Sequence, residues 1–146
     1  AREVRCELPP RLPPVRLDVD KFQHVLGNVL SNAYKYSPGG GEIRLDITER
    51  SFKGRPQVGV RVTDHGIGMS PEHVARAFER FFRADPSGNI PGSGLGLSLC
   101  KEILELLGGQ VELHSVLGEG TAVTLWLPVW LGDLETVTDV GTVGTP

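Results

Sequence analysis

The chain has 146 residues, 23% of them charged, with a net charge of −3; that is length for one domain with a real core, and no basic footprint for a nucleic-acid partner. Its two cysteines, Cys6 and Cys100, lie far apart without metal-type spacing, which excludes a disulfide framework or a zinc site and makes a reducing compartment, the cytoplasm, the default. No apolar run approaches the ~20 residues of a membrane span, and no signal peptide is visible.

Val4–Leu8 and Val15–Val19 are short β-like runs separated by the proline-rich stretch 9–14, and read as a leading strand pair. The chain lacks an initiator Met and opens inside the first run, so it is expected to be a piece of something longer. Asp20, with Gln23 three residues on, carries a capping-box helix start. Phe22, Val25, Leu26, Val29, Leu30 and Ala33 then recur at the spacing of one buried helical face. Asn28, Asn32 and Lys35 line a stripe on what reads as the other face. Asn costs roughly half a kcal/mol relative to Ala inside a helix, so two on one stripe point to a ligand; the alternative is a polar face that happens to contain Asn. Ser37, Pro38 and the glycines at 39–41 stop this helix.

Ile43, Leu45 and Ile47 alternate with polar residues, as do Val58, Val60 and Val62, and predict two strands joined by a loop containing Lys53, Gly54 and Pro56. Asp64-His65-Gly66-Ile67-Gly68-Met69 follows at the strand's end. Its carboxylate could accept from an exocyclic amine, and Gly66 and Gly68 allow close backbone approach; alone, the hexapeptide reads equally as an ordinary strand-to-helix turn. Ser70 caps a second helix with Pro71 at its first position and Val74, Ala77, Phe78 and Phe81 on its apolar face. Residues 84–94 lack periodicity and read as a loop.

Pro91-Gly92-Ser93-Gly94-Leu95-Gly96-Leu97 feeds glycines into a third helix, Gly94–Leu107, whose buried stripe is Leu99, Ile103, Leu106 and Leu107. Exposed amides at such a helix start can hold phosphate, although the spacing is neither a Walker A loop nor the dinucleotide fingerprint; close helix packing is the structural alternative. Val111–Ser115 and Ala122–Leu127 form a last hairpin across Leu117–Gly120. The domain is expected to span 1–130, with a loosely ordered tail over 131–146. Hairpin pairing with three intervening helices predicts an α+β fold: a two-layer sandwich with a mixed, mostly antiparallel sheet and about three helices on one face.

Taken in order, NVLSNAYKYSP, DHGIGM, FERFF, GSGLGL and GEGTAVTLWLP resemble the N, G1, F and G2 boxes and the closing hairpin of the ATP-binding catalytic domain of sensor histidine kinases. The resemblance covers about Val15–Pro128. It implies the Bergerat sandwich shared with gyrase, mismatch-repair ATPases and heat-shock chaperones, with ATP and Mg²⁺ as cofactors. Asn32 then matches the Mg²⁺ ligand, supported by Asn28; Lys35 reaches the phosphates and Tyr36 packs beside the nucleoside. Asp64 matches the acceptor of the adenine amine, Gly66 and Gly68 the adenine wall, and Thr121 a position near that pocket. Gly92, Ser93, Gly94, Leu95, Gly96 and Leu97 match the phosphate-wrapping G2 box, and residues 84–91 the lid, with Arg83 at its start.

There are departures from the family pattern. Gly88 follows Ser87 where a second lid arginine is common, and His65 stands where Asn is usual. None of the four histidines has the acidic-Pro context of a phosphoacceptor. The resemblance therefore implies a catalytic fragment, itself monomeric and without membrane contact, whose acceptor lies on a separate dimerisation domain of a homodimeric parent, with a response regulator downstream. A nucleotide-dependent regulatory module and a serine kinase of the anti-sigma-factor type are the other readings.

Overall fold

In a computed structural model, which describes residues 2–80 and 96–131, the elements run β1 (Arg2–Glu7), α1 (Val19–Lys35), β2 (Gly41–Phe52), β3 (Arg55–Thr63), α2 (Pro71–Arg76), α3 (Gly96–Leu106), β4 (Gln110–Val116) and β5 (Gly120–Pro128). The strands form one five-stranded sheet in the order β1-β2-β3-β5-β4. β1 runs parallel to β2, and every other neighbouring pair is antiparallel. The expected mixed α+β architecture holds.

Strand periodicity of two sets the two faces. Ile43, Val62, Val123, Leu125 and Leu127 are buried on one face, against Val25, Val29 and Ala33 of α1 and Cys100 and Leu104 of α3. α1 and α3 lie side by side on this face; the Cys100 thiol sits 3.7 Å from the Val25 carbonyl, and burial pushes its pKa up to about 12. The β2–β3 turn needs only Lys53 and Gly54, with φ of 51° and 78°, which is the backbone twist a two-residue hairpin favours. Pro56, expected in that loop, pairs with Ser51 inside the ladder instead.

The opposite face carries a polar cluster around an indole. Trp126 is only 6% exposed, because it lies over Gly59, where a Cβ would come within 2.8 Å of the ring, and beneath the Arg50 guanidinium, 4.1 Å from the ring centroid. Arg50 donates to Gln57 at 2.8 Å and to Glu112 at 2.9 Å. Burial works against the Glu112 carboxylate, yet the bonds from Trp126 and Arg50 together hold its pKa below the ordinary glutamate value. Arg50→Ala removes both the aromatic stacking and this pairing, and should cost about 1–2 kcal/mol, read as a lower denaturant midpoint at unchanged slope.

Four expectations are corrected. The α1 cap is Asp18, which accepts from the Lys21 amide at 3.1 Å, while Asp20 sits in the first turn; two acidic residues two apart both suit a positive helix end, and the backbone chooses between them. The second β-like run does not form a strand with the first. Val15 makes a single bridge to Val129, the Trp130 amide donates to the Pro14 carbonyl at 2.7 Å, and Val19 is drawn into α1. In α3 Cys100 and Leu104 are buried and the expected Ile103 and Leu107 pack against the same core, whereas Leu106 is 76% exposed; at 100° per residue it points away from that row. Finally, α2 ends at Arg76 and buries none of its own residues. Ala77 just beyond it is buried, and the expected contribution of Phe81 lies outside the described residues.

Candidate functional site

The site is best built from one row across the sheet. The ladders place Leu113, Val123 and Val62 in line on the helix-facing side. One pleat further, the same face brings Ser115 opposite Thr121, and Thr121 opposite Asp64, whose amide donates to the Thr121 carbonyl at 2.8 Å. An apolar row thus becomes a polar one where the sheet runs out from under the helices.

Asp64 is buried at 6% exposure. Its Oδ1 accepts from the Gly66 amide at 2.9 Å and the Thr121 amide at 3.2 Å. Oδ2 accepts no hydrogen bond among the described residues. Burial raises the pKa of this carboxyl above the ordinary aspartate value, and the two amides offset only part of that shift. The result is a carboxylate with one oxygen locked and the other open to a donor.

The loop after Asp64 is clamped on both sides. The Ile67 amide donates to the Tyr36 carbonyl at 3.0 Å, and the Gly118 amide to the Ile67 carbonyl at 2.7 Å. A Cβ on Gly66 would fall 1.9 Å from the Tyr36 carbonyl oxygen, and one on Gly68, at φ +66°, 2.1 Å from that of Val116. These glycines therefore let backbone meet backbone, fastening the loop between the end of α1 and the β4–β5 turn. The contact brings the Asn-bearing helix beside Asp64.

On α1, Asn28, Asn32 and Lys35 are half-buried, next to the buried row Val25, Val29 and Ala33, and not on the opposite face; solvent is met by Gln23, His24, Gly27 and Tyr34. The three make no side-chain hydrogen bond or ion pair among the described residues. Tyr36 is the half-buried C-cap of α1. Thr121 is the second residue of β5 and is half-buried; Gly96 begins α3 and Leu97 follows it, half-buried. Arg83, Gly92, Ser93, Gly94 and Leu95 lie outside the described residues.

Among the described residues no three of His, Cys, Asp or Glu gather where they could hold a metal ion. Ser115 was absent from the predicted site. Its only sequence signal is parity: it continues Val111 and Leu113 on the buried face, where a hydroxyl is out of place.

Residues 17–131 match the family described as histidine kinase-, DNA gyrase B-, and HSP90-like ATPase. The chain belongs to that family. Within it, this ATPase domain is 38% identical over 125 residues to the sensor histidine kinase WalK of Bacillus subtilis, covering 83% of this chain and 20% of that protein. It is 37% identical over 128 residues to the adaptive-response sensory kinase SasA of a Synechococcus strain, covering 88% of this chain and 33% of the relative. The chain therefore spans a fifth to a third of these relatives' length. Among solved structures, the mycobacterial sensor histidine kinase MprB superposes with a TM-score of 0.67 at 30% identity, covering 86% of this chain and 81% of that one. Full-length ShkA, in complex with AMPPNP, gives 0.72 at 26% identity, covering 90% of this chain and 26% of that one. The ATPase domain is thus of the type carried by sensor histidine kinases. No helix among the described residues is long and apolar enough to cross a membrane.

Proposed function

We propose that this chain, taken as a unit over residues 1–130, binds Mg·ATP and serves as the catalytic domain of a cytoplasmic kinase module. It would position the γ-phosphoryl group for transfer to a histidine on a separate dimerisation domain. The observation that carries the reading is an Asp64 Oδ2 and an α1 stripe of polar side chains that, among the described residues, have no hydrogen-bond or ion-pair partner. The ShkA complex with AMPPNP and the kinase relatives support it.

In this reading Asp64 accepts from the adenine amine, with Thr121 and Tyr36 bordering the base. Lys35 meets phosphate, and so do Arg83, Gly92, Ser93, Gly94 and Leu95, whose assignment rests on the family resemblance; Gly96 and Leu97 open the helix behind them. Asn32 and Asn28, one helical turn apart, suit Mg²⁺, a hard cation that keeps water and phosphate oxygens and needs few protein ligands. When bound, it neutralises phosphate charge. Phosphoryl transfer asks the protein mainly for positioning and charge stabilisation, so these residues need no nucleophile among them. The attacking imidazole belongs to the other domain, and the product is then passed to a response regulator.

Two measurements test this. Mixing the chain with a cognate dimerisation domain and labelled ATP should place acid-labile, base-stable phosphate on that domain; acid-stable label, or none with ATP bound, refutes the kinase reading. Asn32→Ala should weaken ATP binding about tenfold with Mg²⁺ present, on the scale of one lost charge-assisted contact, and change it little in chelator. Equal losses in both conditions would remove Asn32 from the metal.

A further inference from the structure

The sheet has two edges, and they are built differently. β4 forms one of them; α2 and α3 lie against it, and its Val111 and Leu113 pack onto the core. β1 forms the other. Its register with β2 sets Val4 opposite Ile43 and Cys6 opposite Leu45, so both belong to the helix-facing side, and Leu8 keeps that parity. Ile43, one strand in, is buried, yet Val4 is 53% and Leu8 59% exposed, and Cys6 is exposed as well. The helix layer stops short of β1.

On the opposite face Arg5 and Glu7 alternate with that apolar row. Arg5 meets Glu7 at 3.4 Å and Glu42 at 3.7 Å, and these loose, exposed ion pairs exchange readily. Among the described residues no strand meets the outer edge of β1, which leaves backbone N–H and C=O groups turned outward. Proteins commonly block such an edge with an inward-pointing charge or a bulge. Val4–Leu8 has neither, since its inward row is Val, Cys and Leu and its register is regular.

The stretch Val4-Arg5-Cys6-Glu7-Leu8 is also complementary to itself. Laid antiparallel to a second copy about a two-fold axis at Cys6, Val4 meets the partner's Leu8, Arg5 the partner's Glu7, and Cys6 the partner's Cys6. The symmetry makes the apolar pair and the ion pair twice each. Centring on Arg5 or on Glu7 would set like charges together, and a half-step would set an apolar side chain against a charge.

We propose that β1 is a self-association edge, through which two copies of this chain join their sheets, antiparallel and centred on Cys6, with both helix layers on the same side. The exposed apolar row then lines the seam, and the Arg–Glu pairs close its other face. The interface is one strand wide, so the pairing is weak and reversible, and the dilute chain is monomeric. It does not depend on the nucleotide reading above.

The test is sedimentation and cross-linking of the full chain. In reductant, from about 10 µM to about 1 mM, the dimer fraction should rise. Directly opposed Cα atoms in an antiparallel ladder stand roughly 4.5–5.5 Å apart, inside the roughly 4.4–6.8 Å that a disulfide spans. Diamide, which takes up the two electrons and two protons that the thiols release, should therefore join Cys6 to Cys6, while the buried Cys100 stays reduced. Cys6→Ser should abolish the cross-link and keep the reversible dimer. Arg5→Glu, which opposes carboxylates at both ion pairs, should slow cross-linking roughly tenfold, and Glu7→Arg should do the same. Mixed in equal amounts, these two variants oppose unlike charges again and should recover most of the parent rate as a mixed dimer. A parent that stays monomeric throughout this range overturns the inference; if its Cys6 is then also slow toward a thiol reagent, another segment of the chain covers the edge. Cross-linking that is equally fast in Arg5→Glu alone, or a mixture no better than its components, overturns it too.

Discussion

Asp64→Asn should cost this chain roughly ten- to a hundredfold in ATP affinity while leaving the unliganded fold at least as stable as the parent. The geometry makes this substitution sharper than truncation. Oδ1 is held by two backbone amides, Gly66 and Thr121, so the amide oxygen of Asn takes that place and its NH₂ falls where Oδ2 stood. A donor then faces the adenine amine, and a mispaired buried group costs about 1–3 kcal/mol.

Stability moves the other way. The Asp64 pKa is raised from 3.8, chiefly by burial, so between that value and its folded pKa the native state holds more proton than the unfolded chain. Stability from this group is present below 3.8 and declines as pH rises through the window, leaving a net burden at neutral pH that Asn lifts. For the parent, ATP binding should weaken on acidification earlier than an ordinary aspartate would dictate. The Asn variant should show no such step. Titration calorimetry and thermal melts at several pH values read both quantities. Unchanged affinity would move the base away from Asp64, and parallel loss of affinity and stability would reduce Asp64 to a structural turn residue.

Gly66→Ala should be among the most damaging single methyl additions in the described chain. Its Cβ would stand 1.9 Å from the Tyr36 carbonyl oxygen and 2.7 Å from Ser37 Oγ. The first contact is backbone, so relief requires the end of α1 and the Asp64 loop to separate, breaking the Ile67–Tyr36 bond of 3.0 Å. A cost of about 3 kcal/mol is expected in urea denaturation, with nucleotide affinity lost alongside, because the same bond sets Asn32 and Lys35 against Asp64. Gly27→Ala is the contrast. Nothing lies within 4 Å of the added Cβ and the position is an exposed turn of α1, so the helix should gain about 0.5–1 kcal/mol. If the two substitutions had similar effects, the clamp would not be what holds the loop.

These effects were unevenly legible in the residues. The α1 core row, the alternation of β2 and β3 and the final hairpin follow from local periodicity, since 3.6- and 2-residue repeats are written along the chain. The motif order likewise identified the family and singled out Asn28, Asn32, Lys35 and Asp64. Even locally, though, near-equal choices went astray: Asp18 and not Asp20 caps α1, and Cys100 with Leu104, not Leu106, carries the α3 packing.

By itself, then, the sequence determined the helices and strands apart from the run at 15–19, that three glycine-bearing stretches flank an Asn-rich helix, and the family to which the whole belongs. Only the tertiary structure decided that β1 pairs in parallel with β2, that Gly66 and Gly68 serve backbone contact, and that Ser115, Thr121 and Asp64 form one polar row. Strand partners and cross-strand rows join residues distant in the chain, and no local repeat encodes which of them will meet; the register of a closed hydrogen-bond ladder settles it.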